Sequence, residues 1–414
     1  MANCVNCGRE LPSFILGDQS DVCADCRKLR LAPAGVPTPV VYAPAPAAVR
    51  RRMPPITTAL LSINVAVYVA MVLMGLSPIE PTSAALLKWG ANWGPLSLGP
   101  QPWRLLVSNY LHGGLIHIGL NMWCLWNLGW LAEKIFDPWT YLLVYTFSGL
   151  TGSIASLWWH PMSVGVGASG AIFGLAGGLI AALYLGHLPI PKEAMRATLK
   201  SLVAFAGYNL FFGAVSKVID NSAHVGGLLG GLAVGAFLAK HLMAPVDVRH
   251  RWRSVAAVAS IVIVIAGFTE VRRVNDYVVP LQKGMQAFQK SQFDDSIRAL
   301  EDARSKKPND EATLFLLASA YIQKQDFAKA ESLFKRVLEI DPESADAQFN
   351  LGLAQLKLGK YDDAIATLKR AVELNPKDAD AQQALGEAYE AKNMPAEAQA
   401  AYAMSDRLKK SKEQ

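Results

Sequence analysis

Between about residues 56 and 270, apolar runs near 20 residues long recur, each long enough to cross a bilayer. They fall near 57–76, 114–132, 139–159, 169–186, 201–219, 222–239 and 254–268, the seventh being short. No water reaches the hydrocarbon, so backbone groups there must be satisfied within the chain, and spans of this kind are helices. The 52% hydrophobic share of the 414 residues is concentrated in this stretch, leaving room for further domains on either side. The first apolar run begins more than 50 residues in, so no cleavable secretory signal is expected.

The formal net charge of +6 reads better by location than by size. Arg50, Arg51 and Arg52 precede the first run, Lys192, Arg196 and Lys200 lie between the fourth and fifth, and Arg249, Arg251 and Arg253 between the sixth and seventh. With seven spans all three clusters share one side, which the positive-inside rule makes the cytoplasm. Arg272 and Arg273, after the seventh run, mildly oppose this. The basic balance is thus absorbed by membrane orientation, and no nucleic-acid partner is expected. Parity then places the N-terminus in the cytoplasm and the segment after residue 275 outside.

The flanks differ in composition. Residues 1–30 hold Cys4, Cys7, Cys23 and Cys26, two Cys-x-x-Cys pairs separated by 15 residues. That is the spacing of a zinc ribbon, in which four thiolates complete a closed tetrahedral site. A redox dithiol pair and disulfides are the competing readings, the latter disfavoured by a cytoplasmic N-terminus. Four thiolates leave no open position, so the zinc is expected to be structural. Cys124, inside the second run, reads as a packing residue. Residues 31–55 carry Pro33, Pro37, Pro39, Pro44, Pro46, Pro54 and Pro55 and read as an extended tether.

After residue 275 a repeat appears. Pro308, Pro342 and Pro376 are 34 residues apart, as are Phe293, Phe327 and Tyr361, then Ala318, Gly352 and Gly386, and Ala330, Ala364 and Ala398. This period, with small residues at helix crossings and proline at the end of the second helix, matches tetratricopeptide repeats. Three good repeats (309–342, 343–376, 377–407) follow a degenerate one from about 277, giving an α-solenoid over 275–408 that presents a binding surface for protein or peptide ligands. Lys409, Lys410 and Lys412 read as a solvated helix end.

Polar residues in the membrane runs carry the chemistry. The long connection over 77–113 holds Trp89, Trp93, Trp103 and Arg104, as expected of an interfacial segment. His117 and Asn121 are four apart and share a helix face. Ser169 stands at the predicted N-terminus of the fourth span, where free N–H groups and the helix dipole favour an oxyanion. His224 lies near the start of the sixth, at similar depth. Gly170, Gly174 and Gly178 follow the serine at four-residue spacing, and Gly227, Gly231 and Gly235 follow the histidine. Such stripes let helix backbones approach closely, so the two side chains can meet. Taken singly, each polar residue is a packing or bridging group more often than a reactive one.

Over residues 56–270 the chain resembles the rhomboid intramembrane serine proteases. The resemblance rests on Trp103-Arg104, His112…His117…Asn121, Gly167-Ala168-Ser169-Gly170 and Ala223-His224-x-Gly226-Gly227. It implies an all-α polytopic membrane protein with a six-helix core, a seventh span being an addition. It implies Ser169 as nucleophile, His224 as general base, and an oxyanion held by the Ser169 N–H, the Asn121 amide and His117. His112 and Phe173 would line the cavity; phenylalanine stands where many members carry tyrosine, keeping the ring that packs on the histidine. Glu133 matches a position expected to steady the long first loop. Asp220, one turn before His224, reads as a loop acid and not a triad member. No catalytic cofactor is expected. The implied activity is hydrolysis of peptide bonds in or near the spans of membrane proteins; the expected zinc-ribbon start and lack of a targeting peptide fit a bacterial inner (plasma) membrane. The alternatives are a non-proteolytic scaffold that binds membrane clients, and a repeat protein for which the spans are only an anchor.

Overall fold

The computed structural model describes residues 2–8, 10–11, 23, 26, 53–216 and 219–412. The expected tether, apart from 53–55, and Arg50, Arg51 and Arg52 lie outside the described residues. At the N-terminus β1 (Ala2–Asn3) pairs antiparallel with β2 (Glu10–Leu11). The chain divides into two compact units, one holding Met1–Trp93 and Pro102–Val271, the other Gly94–Gln101 and Arg272–Gln414.

In the first unit seven helices follow the seven apolar runs: α1 (Pro55–Leu73), α2 (Leu115–Ile135), α3 (Pro138–Trp159), α4 (Ser169–Leu185), α5 (Lys192–Val215), α6 (Asn221–Leu238) and α7 (Val246–Val274). Local chemistry sets their starts. Proline opens α1 and α3, where a missing N–H costs nothing. Asp137 caps α3 by accepting from the Trp139 and Thr140 amides, and Asp220 caps α6 through Ser222 and Ala223. Helices α1, α5 and α7, and α6 with its short extension to His241, are long and apolar enough to cross a bilayer. The 17-residue α4 is shorter and runs through the centre, buried on nearly every side over 170–183.

Two boundaries differ from expectation. The fifth helix begins at Lys192 and not near 201, and the seventh is a 29-residue helix and not a short run. Both extend through charged turns, since Glu193, Arg196, Arg249 and Arg251 are sound helix formers that an apolar stretch excludes. The entry turn of α7 is pinned to the core: Arg253 Nη1 lies 2.8 Å from Asp137 Oδ1, and Trp252 stacks on His241 with ring centroids 4.4 Å apart.

The glycine stripes mark the contact between α4 and α6. A Cβ on Gly227 would stand 2.0 Å from the Gly170 oxygen, and one on Gly231 1.9 Å from that of Gly174. Gly235 faces Gly178 in the same way, with a Cβ 2.7 Å from its Cα. Helix α3 joins them, its Gly152 closing on Ala223 O and Gly170.

In the second unit the repeats form helix pairs: α8 (Val278–Gln289) with α9 (Phe293–Lys306), α10 (Glu311–Gln323) with α11 (Phe327–Ile340), α12 (Ala345–Lys357) with α13 (Tyr361–Leu374), and α14 (Ala379–Ala391) with α15 (Pro395–Lys412). Pro308, Pro342 and Pro376 each follow a second helix by two residues. The small position in each first helix explains the crossing. A Cβ on Gly284 or Gly352 would lie 2.5 Å from Cγ of Leu300 or Leu368, and one on Gly386 2.5 Å from the Tyr402 ring. Ala318 fills this position, fully buried, in the second repeat.

Candidate active site and cysteine cluster

Ser169 is the first residue of α4, and Gly167 two residues before it has φ +124°. That left-handed backbone suits glycine, and sterics add a second reason: a Cβ on Gly167 would lie 2.8 Å from both Cε1 and Nε2 of His117. The strand leading to the serine is clamped from the long connection. Asn92 and Gly165 exchange backbone hydrogen bonds of 2.9 and 2.8 Å, and Gly167 N donates to Ser108 O. Arg104, buried, donates from Nη1 to Leu87 O at 2.8 Å and Ala91 O at 3.0 Å, fixing the turn that presents Asn92.

His224 is one turn into α6 and 8% exposed. Its imidazole stacks on Phe173, one turn along α4 from Ser169, with centroids 4.2 Å apart and planes 9° from parallel. Phe205 of α5 backs the phenyl ring at 5.5 Å. The stack therefore holds the imidazole against the helix that begins with the serine. Among the described residues Ser169 and His224 share no hydrogen bond, and His224 Nδ1 is buried without a partner.

His117 Nδ1 accepts a 3.2 Å hydrogen bond from Gly113 N. An acceptor at Nδ1 requires the neutral tautomer with its proton on Nε2, the atom next to Gly167. A donor is thereby presented beside the start of α4. Asn121 gives one amide N–H to His117 O at 2.9 Å and retains the second. His112 packs edge-on against His117, centroids 5.3 Å apart, and is wholly buried. Ser169, His224, and the pair His117 and Asn121 thus come from α4, α6 and α2.

The rhomboid domain profile matches residues 99–241, which contain every one of these groups. This chain contains a rhomboid domain. Tetratricopeptide repeat profiles match 287–356, 323–388 and 355–409. Rhomboid protease GluP of Bacillus subtilis is 30% identical over 272 residues, covering 65% of this chain and 52% of that protein. RHOMBOID-like protein 7 of Arabidopsis thaliana is 32% identical over 206 residues, covering 46% and 65%. The chain thus spans between half and two thirds of the length of these relatives. Among solved structures a MamA chain aligns with 33% of this chain and 80% of its own, at 26% identity and a TM-score of 0.32. The rhomboid homologues and apolar helices together make this a multi-pass membrane protein.

One expectation for the rhomboid domain is corrected. Glu133 accepts from Thr57 N, so it anchors the start of α1 and not the first loop. It lies twelve residues beyond Asn121 on one helix, about 18 Å away at the opposite end of α2. The residues that do steady the loop, Asn92, Ser108 and Arg104 among them, include two that no spacing revealed. Asn92 and Ser108 act through backbone pairs across long stretches of chain, which leave no periodic trace.

At the N-terminus the Sγ atoms of Cys4, Cys7, Cys23 and Cys26 all lie within 4.8 Å of one another, with Cys7 and Cys23 3.7 Å apart. A tetrahedron of Zn–S bonds of about 2.3 Å has edges of about 3.8 Å, so the four thiols fit a zinc ion. The Cys23 backbone N–H holds the Cys4 thiol down to about 6, while hydrogen bonds from Cys7 and Cys23 push Cys26 up to about 12. Sulfurs this close repel one another as thiolates, and a divalent cation removes that conflict.

Proposed function

We propose that the protein is an intramembrane serine endopeptidase that cleaves peptide bonds in or near the spans of membrane-protein substrates through Ser169 and His224. The observation that carries this reading is the His224–Phe173 stack one turn along α4 from Ser169. Ser169 Oγ attacks the scissile carbonyl carbon as His224 Nε2 takes its proton. The negative oxygen is received by the Ser169 N–H, His117 Nε2–H and the free N–H of Asn121, and each such donor contributes about 3 kcal/mol to barrier reduction. His224 returns the proton to the departing amine, leaving an ester on Ser169. Water, deprotonated by the same imidazole, then releases the carboxylic acid and restores the serine. The packed ring replaces the orienting acid of a triad.

A fluorophosphonate probe tests this. The wild-type protein is expected to label, and Ser169→Ala and His224→Ala to lose labelling and cleavage of a single-span substrate together. Serine-independent labelling with no cleavage would sink the protease reading and leave a client-binding scaffold.

The four cysteines are proposed to hold one structural zinc, and the repeats to recruit protein or peptide ligands. Elemental analysis is expected to find one zinc per chain, lost in Cys4→Ser/Cys26→Ser; wild-type protein without metal contradicts the assignment. We further place the N-terminus on the cytoplasmic side of the inner membrane and the repeats outside, a reading supported by the continuous 29-residue α7.

A further inference from the structure

The 34-residue register extends beyond the packing positions. In each first helix of a pair, three positions spaced i, i+4 and i+7 form one stripe. In the first three repeats the stripe is mostly apolar, with Met285 and Phe288 on α8, Phe315 and Ile322 on α10, and Phe349 and Leu353 on α12, all only partly buried. The equivalent positions on α14 are Gln383, Glu387 and Glu390, both glutamates exposed. One turn nearer the helix start, Asp346 and Asp380 are exposed on α12 and α14. The stripe therefore runs from apolar to acidic along the stack.

These four acids, like Glu311, Glu343, Asp363 and Glu397, form no ion pair among the described residues, whereas others in the repeats do. Asp294, Asp302, Glu331 and Asp362 are each paired with lysine. Among the described residues no cation lies within ion-pair distance of Asp346, Asp380, Glu387 or Glu390. Glu387 accepts instead from Gln383 Nε2 at 3.3 Å, and Glu390 from the Tyr402 hydroxyl at 2.7 Å. Of the nearby lysines, Lys324 and Lys392 are paired with Asp294 and Asp362, while Lys357 has no ion pair and Lys409 donates to Gln383. None of them pairs with an acid of the stripe.

From this we infer that the stripe binds an extended cationic peptide segment, its apolar residues over the first three repeats and its Lys or Arg side chains at the fourth. The inference rests on the reading of the repeats as a binding module. Unpaired carboxylates on one face select cations and repel acidic termini.

The test uses the full-length Ser169→Ala protein in detergent and fluorescence anisotropy with three short synthetic peptides. One has an apolar run followed by Lys/Arg, one has the same run followed by Asp/Glu, and one has serines followed by Lys/Arg. The first is expected to bind at least about tenfold more tightly than either of the others. Glu387→Lys/Glu390→Lys is expected to reverse the preference between the two charged apolar peptides, and Glu387→Gln/Glu390→Gln to abolish it. Detergent takes up each peptide equally in every variant, so the comparison between variants is decisive, and unchanged far-ultraviolet dichroism verifies folding. A wild-type preference for the acidic peptide, or a preference untouched by charge reversal, overturns the proposed chemistry alone. Failure of all three peptides to bind overturns the binding-module reading with it.

Discussion

Phe173 is the residue on which the proposed dyad geometry turns. It has no polar atom, yet its face fixes the plane of His224, and Phe205 fixes Phe173 in turn. Phe173→Leu keeps an apolar side chain, though a smaller one, and removes the ring, a change that costs about 1.5 kcal/mol of stability. Cleavage is expected to fall about 100-fold, since displacing a base by an ångström has that effect. Phe173→Tyr keeps the ring and is expected to stay within about threefold of wild type; the ratio of the two rates, at equal thermal stability, is the measurement. Equal activity of the leucine and wild-type forms would remove the stack from the mechanism. Ser169, His224, His117 and Asn121 were legible because polar groups in apolar helices are costly and therefore stand out. Asn92 and Ser108 were not, because serine and asparagine in a connecting loop carry no such penalty.

At the scale of elements, the helices of the membrane unit and the repeats are held by different means. Between α4 and α6 it is absence of side chain that packs, and any Cβ at Gly227 or Gly231 meets backbone. Between repeats a partly charged contact recurs, centred on the buried Glu331 of α11, which lies 2.8 Å from Lys335 and 2.7 Å from Lys360 just before α13. Burial pushes the Glu331 carboxyl up, but its bonds to Lys335 and Lys360 outweigh that and hold it below the ordinary glutamate range. A depressed folded-state value means the contribution is complete above the unfolded value of about 4.3 and is lost as pH falls through the folded one. Glu331→Gln is accordingly expected to cost the repeats about 2 kcal/mol at neutral pH and to shrink the difference from wild type below about pH 4. Thermal melts of both proteins across pH, followed by far-ultraviolet dichroism, read this directly; a mutant cost independent of pH would rule out the ion pair as its source.

For the whole molecule, the central question is where α7 delivers the chain. It is long and apolar enough to cross a bilayer, and the Arg253–Asp137 pair fixes its beginning against α3. Phosphatase and fluorescent reporter fusions after residues 245 and 275 are expected to report opposite sides of the membrane. If both report the cytoplasm, α7 does not cross and the repeats share a compartment with the cysteine cluster.

The sequence by itself determined the class of each segment. Bilayer thickness sets the length of an apolar run, thiolate chemistry sets the cysteine spacing, and a stacking repeat unit sets the 34-residue period, so each is written along the chain. It also supplied the reactive groups and the glycines that let their helices approach. Only the tertiary structure decided which backbone clamps the strand before Ser169, which end of α2 Glu133 serves, and how His224 is held. Those contacts join residues tens of positions apart through irregular backbone and ring faces, and such pairings exist only once the helices have packed.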